Sequence, residues 1–173
     1  MTTKLKFEVN DAAARAKLKA LMATTSDMRP VYATVGRVIV NRIRLCFKLG
    51  VDPWASPWAA LKIRRGQPLR DTGRLQRSIT ANPDATGVTI GTNVQHARVH
   101  QFGATIEPKK AKRLVFPGPS GRMIFAKKVT VPARPFMPLK RGYSVVTLPP
   151  SWSADMTRAL RAYFKQAAEK VSA

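Results

Sequence analysis

Acidic residues are scarce in this 173-residue sequence: nine Asp and Glu stand against 31 Lys and Arg, which gives a formal net charge of +22. A surplus of that size needs anions close by, on nucleic acid, on an acidic protein surface or on a membrane face. The nine acids are also separated from one another, and Asp11, Asp27, Asp71 and Asp84 occupy cap or turn positions. Hydrolases with paired carboxylates and two-metal nucleases need clustered acids, so the sequence weakly disfavours both classes.

Cysteine is nearly absent. Cys46 is the single one, and the apolar run "VIVNRIRLCF" around it predicts a buried thiol, so a disulfide framework or cysteine-ligated zinc is excluded within one chain. No apolar stretch approaches the roughly 20 residues that span a bilayer, and "MTTKLKFEVN" lacks the apolar region of a signal peptide. We therefore expect a protein made and used in a cytoplasm-like compartment, with no membrane partner.

Histidine is also rare, and both histidines lie in "HARVHQFGA". On a helix, His96 and His100 would share a face and could hold a metal together. A zinc or iron site needs a third protein ligand, and the nearest acid in the sequence, Glu107, comes after a glycine turn. We therefore interpret the two histidines as packing or hydrogen-bonding residues and expect no metal site.

The sequence also lacks the short motifs of common enzymes. It contains no G-x-S-x-G nucleophile elbow, and "GPSGR" has neither the spacing nor the following helix of a phosphate-binding loop. We expect no catalytic residues, no cofactor and no enzymatic activity. A metal-dependent hydrolase stays open as an alternative, which bound zinc or manganese in the purified protein would favour.

The fold is predicted to be α+β, because strand-like segments stand in runs between helical ones, without the strand–helix alternation of a parallel sheet. We expect one domain in which N-terminal helices and a C-terminal helix pack on a small, mostly antiparallel sheet, with a long β-hairpin and extended arms. The predicted parts of residues 1–173 are a helical region at 10–50, an arm at 51–70, a short helix with the sheet at 71–148, and a C-terminal helix at 151–173.

Two helices are predicted in the N-terminal part. Asn10 is the cap of a short one. Ser26 and Asp27 begin a longer one with Pro30 in its first turn, where the missing N–H costs little. Apolar residues recur along it at spacings of three and four, so this helix is expected to be the core element and to end near Gly50.

The arm that follows has three prolines before Leu69 and cannot be one regular element. Its Trp54 and Trp58 are either ordinary core residues or buried contacts between subunits, and the sequence leaves both interpretations open.

The part after the arm contains shorter elements. Asp71 or Thr72 is expected to cap a short helix in "DTGRLQRSI", with Leu75 and Ile79 on one side. "GVTIGTN" is typical of a half-buried strand, while "KRLVFPG" and "GRMIFAKKVTVP" flank a turn and predict a long hairpin. Helical spacing of apolar residues predicts the last helix from about Ser153.

Three motifs, "DTGRLQRSI", "IGTNVQHARVHQFGA" and "VTVPARPFM", follow one another after a helical region and a "PW" arm. In this order they resemble the virion morphogenesis (tail-completion) family of Mu-like tailed bacteriophages, over roughly Trp58 to Leu139. His96 departs from the family pattern, which has an aromatic residue such as tyrosine there. The positions that match the family motifs are Asp71, Thr72, Gly73, Leu75, Gly91, Thr92, Asn93, Ala97, His100, Gln101, Phe102, Gly103, Pro132, Ala133, Arg134, Pro135 and Phe136.

The resemblance implies a structural role in the virion without catalysis. Such proteins are similar to neck and tail-completion components that join head to tail or finish the tail as rings of identical subunits. The implied partners are other copies of the chain and other head, neck or tail proteins. We expect "HARVHQFGA" to form a short helical turn, Gly91 and Gly103 to permit turns, Phe102 to be an apolar anchor, and "PARPF" to lie across a neighbouring subunit.

The large excess of Lys and Arg over Asp and Glu fits a ring that surrounds a passage for DNA. Binding to phosphates would be independent of sequence and would fall steeply with salt. The hypothesis places this exposed basic surface on the predicted hairpin, where the possible phosphate contacts are Lys109, Lys110, Lys112, Arg113, Arg122, Lys127 and Lys128.

The main alternative is a basic nucleic-acid-binding module. It would act as a monomer and would gather its basic residues with aromatic residues on which bases stack. The sequence favours it less, because Phe116 and Phe125 lie in an apolar strand pattern that is typical of packing.

Overall fold

The computed structural model describes residues 22, 26–62, 65–118, 121–139 and 147–172. The helix predicted from Asn10 lies outside the described residues. In the described part, helices and short antiparallel strand pairs form the α+β arrangement that the sequence predicts.

Helix α1, Arg29–Leu49, is the long central helix that the apolar spacing predicts. It begins after the predicted Ser26 and Asp27, and the Asp27 carboxylate accepts the Arg29 N–H at 3.0 Å. Pro30 lies in its first turn, and Gly50 ends it in the left-handed conformation (φ 75°), with its N–H donating to the Cys46 carbonyl at 2.8 Å. A Cβ at Gly36 would lie only 2.8 Å from the Cβ of Ala81, so the missing side chain lets the helix lie directly on the first strand pair.

Helix α4, Pro150–Ser172, packs along α1. It begins three residues before the predicted Ser153, because proline is well tolerated at a first helical position and the Trp152 N–H donates to the Pro149 carbonyl at 3.0 Å. The buried Trp152 and an ion pair between Arg42 and Asp155 join the two helices.

In the part of the chain that the structure describes, two short helices lie between α1 and α4. The first, α2, spans Arg74–Arg77, and the second, α3, spans Ala97–Phe102. The predicted cap of α2 is wrong: Gly73, not Asp71 or Thr72, occupies the N-cap in the left-handed conformation (φ 73°), which glycine adopts at little cost. The Thr72 hydroxyl still accepts the Arg74 N–H at 3.3 Å.

Within the described residues the strands form three separate antiparallel pairs, not one sheet. The predicted hairpin is shorter than expected. Its ladder ends at Leu114 opposite Ala126, and the chain bends at Lys127. The segment that follows pairs with an earlier strand instead. The pairs are β1 (Thr80–Pro83) with β2 (Val88–Gly91), β3 (Ala104–Ile106) with β6 (Val129–Val131), and β4 (Leu114–Pro117) with β5 (Met123–Ala126).

Among the described residues one hydrophobic cluster forms the core, between α1, α2, α3, the start of α4, the arm and the segment after β6. Leu75 and Ile79 both belong to it, as their spacing predicts. The buried side chains of the cluster are Val40, Ile43, Cys46, Phe47, Trp58, Leu75, Ile79, Val94, Ala97, Phe136, Met137 and Trp152. No helix in the described ranges is both long and apolar enough to cross a membrane.

Candidate functional site

The three sequence motifs meet around one cavity of about 500 Å³. The start of α2 supplies Asp71, Thr72 and Gly73, the α3 region supplies His96 and His100, and the segment after β6 supplies the adjacent arginine. Residues far apart in the sequence are therefore neighbours in the fold. The complete lining is Leu61, Leu69, Asp71, Thr72, Gly73, Arg74, Leu75, His96, His100 and Arg134.

Arg134 joins this cavity to the proline and tryptophan arm. Its side chain is buried, and its guanidinium donates from Nε to the Ala59 carbonyl at 2.7 Å and from Nη2 to the Ala60 carbonyl at 3.0 Å. Its backbone N–H donates to the His100 carbonyl at 2.7 Å. The planar guanidinium thus holds two consecutive carbonyls of the arm in place.

Gln101 holds residues 136–139 in place through hydrogen bonds to their backbone. Its buried Oε1 accepts the N–H groups of Phe136 and Met137, both at 3.0 Å. Its Nε2 donates to the carbonyls of Met137 at 2.9 Å and Leu139 at 3.0 Å. The carboxamide is therefore hydrogen-bonded on both sides and ties α3 to the segment that contains "PARPF".

The segment "PARPF", which was expected to lie across a neighbouring subunit, makes contacts within its own chain. Phe136 is 1% exposed, and its ring centroid lies 5.3 Å from that of Phe47. The Pro135 carbonyl accepts the Trp58 indole N–H at 2.7 Å. The burial of these groups needs no neighbouring subunit, and any role of the segment in subunit contact stays a prediction.

The two tryptophans of the arm differ in environment. Trp58 is a core residue whose ring makes an edge contact with the Phe47 ring, with centroids 5.5 Å apart. A contact of Trp58 with another subunit stays a prediction. Trp54 is 40% exposed and lies on the turn before it. The sequence alone could not separate the two, because both follow "P-W" patterns.

The two glycines predicted to permit turns also differ. Gly103 ends α3 with φ 68°, and a Cβ there would lie 2.9 Å from the backbone nitrogen of Ala133, so this position requires glycine. Gly91 is the last residue of β2, its φ is not positive, and a Cβ there would meet open space, so the prediction that Gly91 is needed for a turn is wrong. Phe102, expected to be an apolar anchor, is half-buried at the end of α3.

The two histidines form an edge-to-face pair at the start of α3, with ring centroids 5.5 Å apart. This confirms that "HARVHQFGA" contains a short helix after the strand. Among the described residues, no three His, Cys, Asp or Glu side chains lie close enough together to hold a metal ion. Burial, and then the charges of His96 and Arg134, lower the pKa of His100, whose Nδ1 is buried without a partner among the described residues.

His100 predicts a pH dependence of stability. A lowered pKa in the folded state means that the unfolded chain binds a proton first, so the neutral ring stabilises the fold above the ordinary histidine pKa of about 6.5. That contribution is lost as the pH falls through this value. Thermal unfolding between about pH 7.5 and about pH 5 should therefore be less pH-dependent in His100→Gln than in the wild type. Arg98→Gln, at an exposed position on α3, is the control, and equal slopes for wild type and His100→Gln would contradict the prediction.

Cys46 has the environment of a core residue and not of a reactive thiol. It is buried in the core on α1, as the sequence predicts, and burial raises the pKa of its thiol to about 11. The thiolate that would react is therefore scarce near neutral pH.

The seven basic residues predicted to form an exposed surface are all exposed, around the β4–β5 hairpin and its approach. They lie apart from the cavity where the three motifs meet. Whether they contact phosphates stays a prediction.

The hairpin also carries a feature that the sequence analysis missed. Phe125, predicted to pack, is 60% exposed, and its cross-strand neighbour Val115 is 51% exposed. The signal was present in the sequence: "LVFP" and "MIFA" are apolar at every position. A two-stranded hairpin can turn only one of its faces toward its own chain, so the other face is left bare.

Comparison with known proteins identifies the family. Residues 9–145 match the model of the phage virion morphogenesis family. The matched range contains all three motifs and most of the described fold. The chain is also similar to the "Mu-like prophage FluMu G protein 2" of Haemophilus influenzae, with 30% identity over 162 residues that cover 93% of this chain and 96% of that protein. No solved structure matches the chain. The resemblance seen in the motifs is confirmed, and the chain belongs to the phage virion morphogenesis family, with a structural or assembly role in forming phage particles.

Proposed function

We propose that the protein completes the tail or joins it to the head, as one subunit of a ring in the neck or tail of the virion. The observation that carries this proposal is the family match over residues 9–145. The similarity to a protein of a Mu-like prophage, which covers almost the whole length of that protein, supports a role in a phage particle.

The geometry of the motif residues supports a scaffold. The polar groups of Gln101 and Arg134 bind backbone groups of the arm and of residues 136–139, and the aromatic ring of Phe136 fills the core. Buried polar groups that are satisfied in this way hold separate segments of chain in one arrangement. A fixed arrangement of segments is what a subunit needs when identical copies must repeat the same contact around a ring.

The charge supports a position beside an anion. In a ring around a DNA passage, cations on the inner wall would bind phosphates without reading sequence, and the affinity would fall steeply with salt. The same cations suit acidic surfaces on head, neck or tail proteins. The proposed partners are therefore further copies of the chain, other virion proteins and packaged duplex DNA.

The ring is tested by measuring the mass of the purified full-length protein by light scattering, in high salt so that charge-driven aggregation is suppressed. We expect one closed oligomer, with a central hole in negative-stain images of the same peak. If virions purified from infected cells do not contain the protein, and the purified chain is a monomer, the proposal of a ring component is wrong.

A nucleic-acid-binding module is the second candidate, and the net charge of +22 is the observation that favours it. It predicts a monomer that binds duplex DNA tightly. The two proposals are separated by titrating the purified protein with a DNA duplex of random sequence at two salt concentrations. Tight binding by a monomer favours the module, because a ring subunit must assemble before its cations surround DNA.

A further inference from the structure

The β4–β5 hairpin has one face made only of apolar side chains. Val115 pairs with Phe125 and Pro117 pairs with Met123, so these four residues share a face, which we name the outer face. All four are exposed, and Met123, Val115 and Phe125 are more than half exposed, at 53%, 51% and 60%. The alternate residues, on the opposite face, are half-buried. The bare surface is therefore a continuous patch across both strands.

The hairpin draws little stability from the rest of the described chain. No residue of β4 or β5 belongs to the hydrophobic core, and the main packing partner of each strand is the other. An isolated two-stranded hairpin is marginally stable in water. A surface that covers the outer face would therefore fix the conformation of the hairpin as well as bury its apolar side chains.

Cations surround this patch. The seven exposed Lys and Arg residues named above stand at both ends of the strands, in a region whose only acid is Glu107. Among the described residues none of the seven is part of an ion pair. The surface thus has the arrangement of a protein interface, with an apolar centre and a charged rim.

We propose that the outer face docks another virion protein, whose contact surface is apolar at its centre and rich in Asp and Glu at its edge. This inference rests on the proposed function only in taking the partner from the phage particle. Charge complementarity selects the partner, because a second copy of this chain brings a net charge of +22 toward seven cations, whereas an acidic surface neutralises them.

Duplex DNA fits the cations but not the patch. Proteins that insert apolar side chains into DNA use them as wedges between base steps. Here the apolar side chains instead form a patch across two paired strands, and β-strand alternation places no cation among them.

The test is site-specific photo-cross-linking during phage assembly. Phe125 is replaced by p-benzoylphenylalanine in the full-length protein, which is supplied to a phage that lacks its own copy, and adducts are identified by mass spectrometry after irradiation. The same amino acid at Arg161, an exposed position on α4, is the control. We expect an adduct from position 125 with one virion protein other than this chain, within an Asp- and Glu-rich peptide, and none with that peptide from position 161.

The partner identified in this way is then purified for a binding measurement. Phe125→Ser should weaken binding at least about tenfold, mainly through faster dissociation, as expected for a central aromatic contact. Thr130→Ser, at an exposed position on the neighbouring strand β6, should leave binding unchanged. Lys127→Glu should slow association and reduce its salt dependence. Phe125 is exposed, so the serine variant should fold as the wild type does.

Other adducts would overturn the inference. A cross-link to a second copy of the chain, a nuclease-sensitive adduct, or no adduct from position 125 in particles that assemble would each show that the outer face does not dock an acidic protein. If a ring is nevertheless present in the virion, the proposed function stands and only this assignment fails. Conversely, an acidic partner at position 125 without any ring would reject the proposed ring and keep the docking surface.

Discussion

Replacing Phe136 by alanine is expected to lower the free energy of unfolding by about 3–5 kcal/mol, the usual cost of removing a buried phenylalanine side chain. The side chain is 1% exposed and lies at the centre of the core, with its ring next to that of Phe47, which in turn contacts Trp58. Because three segments of chain meet at this ring cluster, the surrounding backbone has little freedom to close the cavity.

Urea unfolding monitored by circular dichroism measures this change, and the slope of the transition should stay that of the wild type. The matched control is Phe125→Ala, which removes the same atoms from a position that is 60% exposed. Its expected effect is within about 0.5 kcal/mol, as for other surface substitutions. If the two alanine variants were equally stable, the placement of Phe136 in the core would be wrong.

The long helix α1 could be predicted from the sequence because its evidence is local. Apolar residues repeat at helical spacing, Pro30 is in the first turn and Gly50 is at the end, so one stretch of chain contains both the pattern and its limits. The same applies to the position of α3 and to the burial of Leu75 and Ile79. The cap of α2 lies at Gly73 and not at Asp71 or Thr72, because Gly73 adopts the left-handed conformation there, which glycine tolerates at little cost.

Long-range pairing could not be predicted in the same way. Residues after Lys128 continue the strand pattern of β5, yet they pair with β3, more than twenty positions earlier. Nothing local distinguishes this from a longer hairpin, because both arrangements use the same alternation of side chains. The difference between Trp54 and Trp58 has the same origin, since the Pro135 carbonyl that accepts the Trp58 indole N–H is distant in sequence.

At the candidate site, the sequence identified the participants but not what they do. The motif resemblance named Gln101 and Arg134, while their contacts to residues 136–139 and to the arm appear only in the fold. The expectation that "PARPF" lies across a neighbour arose because a proline-stiffened segment suits either an internal or an external contact. The Pro135 carbonyl and the Phe136 ring make contacts inside the chain, and a contact of the segment with a neighbouring subunit stays a prediction.

Replacing Gln101 by alanine is expected to lower the free energy of unfolding by at least about 3 kcal/mol, because three buried backbone groups lose a hydrogen-bond partner at about 1–3 kcal/mol each. Four such bonds end on this carboxamide, from the N–H groups of Phe136 and Met137 and to the carbonyls of Met137 and Leu139. Urea unfolding at neutral pH measures the loss, and Gln95→Ala, at an exposed position before α3, is the control.

Gln101→Glu tests which half of the carboxamide matters. The new side chain keeps an oxygen that accepts the N–H groups of Phe136 and Met137, but a carboxylate cannot donate to the two carbonyls that the amide nitrogen now contacts. Burial and these carbonyls should raise its pKa in the folded state, so the variant should regain stability relative to Gln101→Ala as the pH falls and the carboxyl group is protonated. Recovery at low pH would show that donation from position 101 holds residues 137–139 in place. If Gln101→Ala were as stable as Gln95→Ala, packing of Phe136 alone would hold this segment.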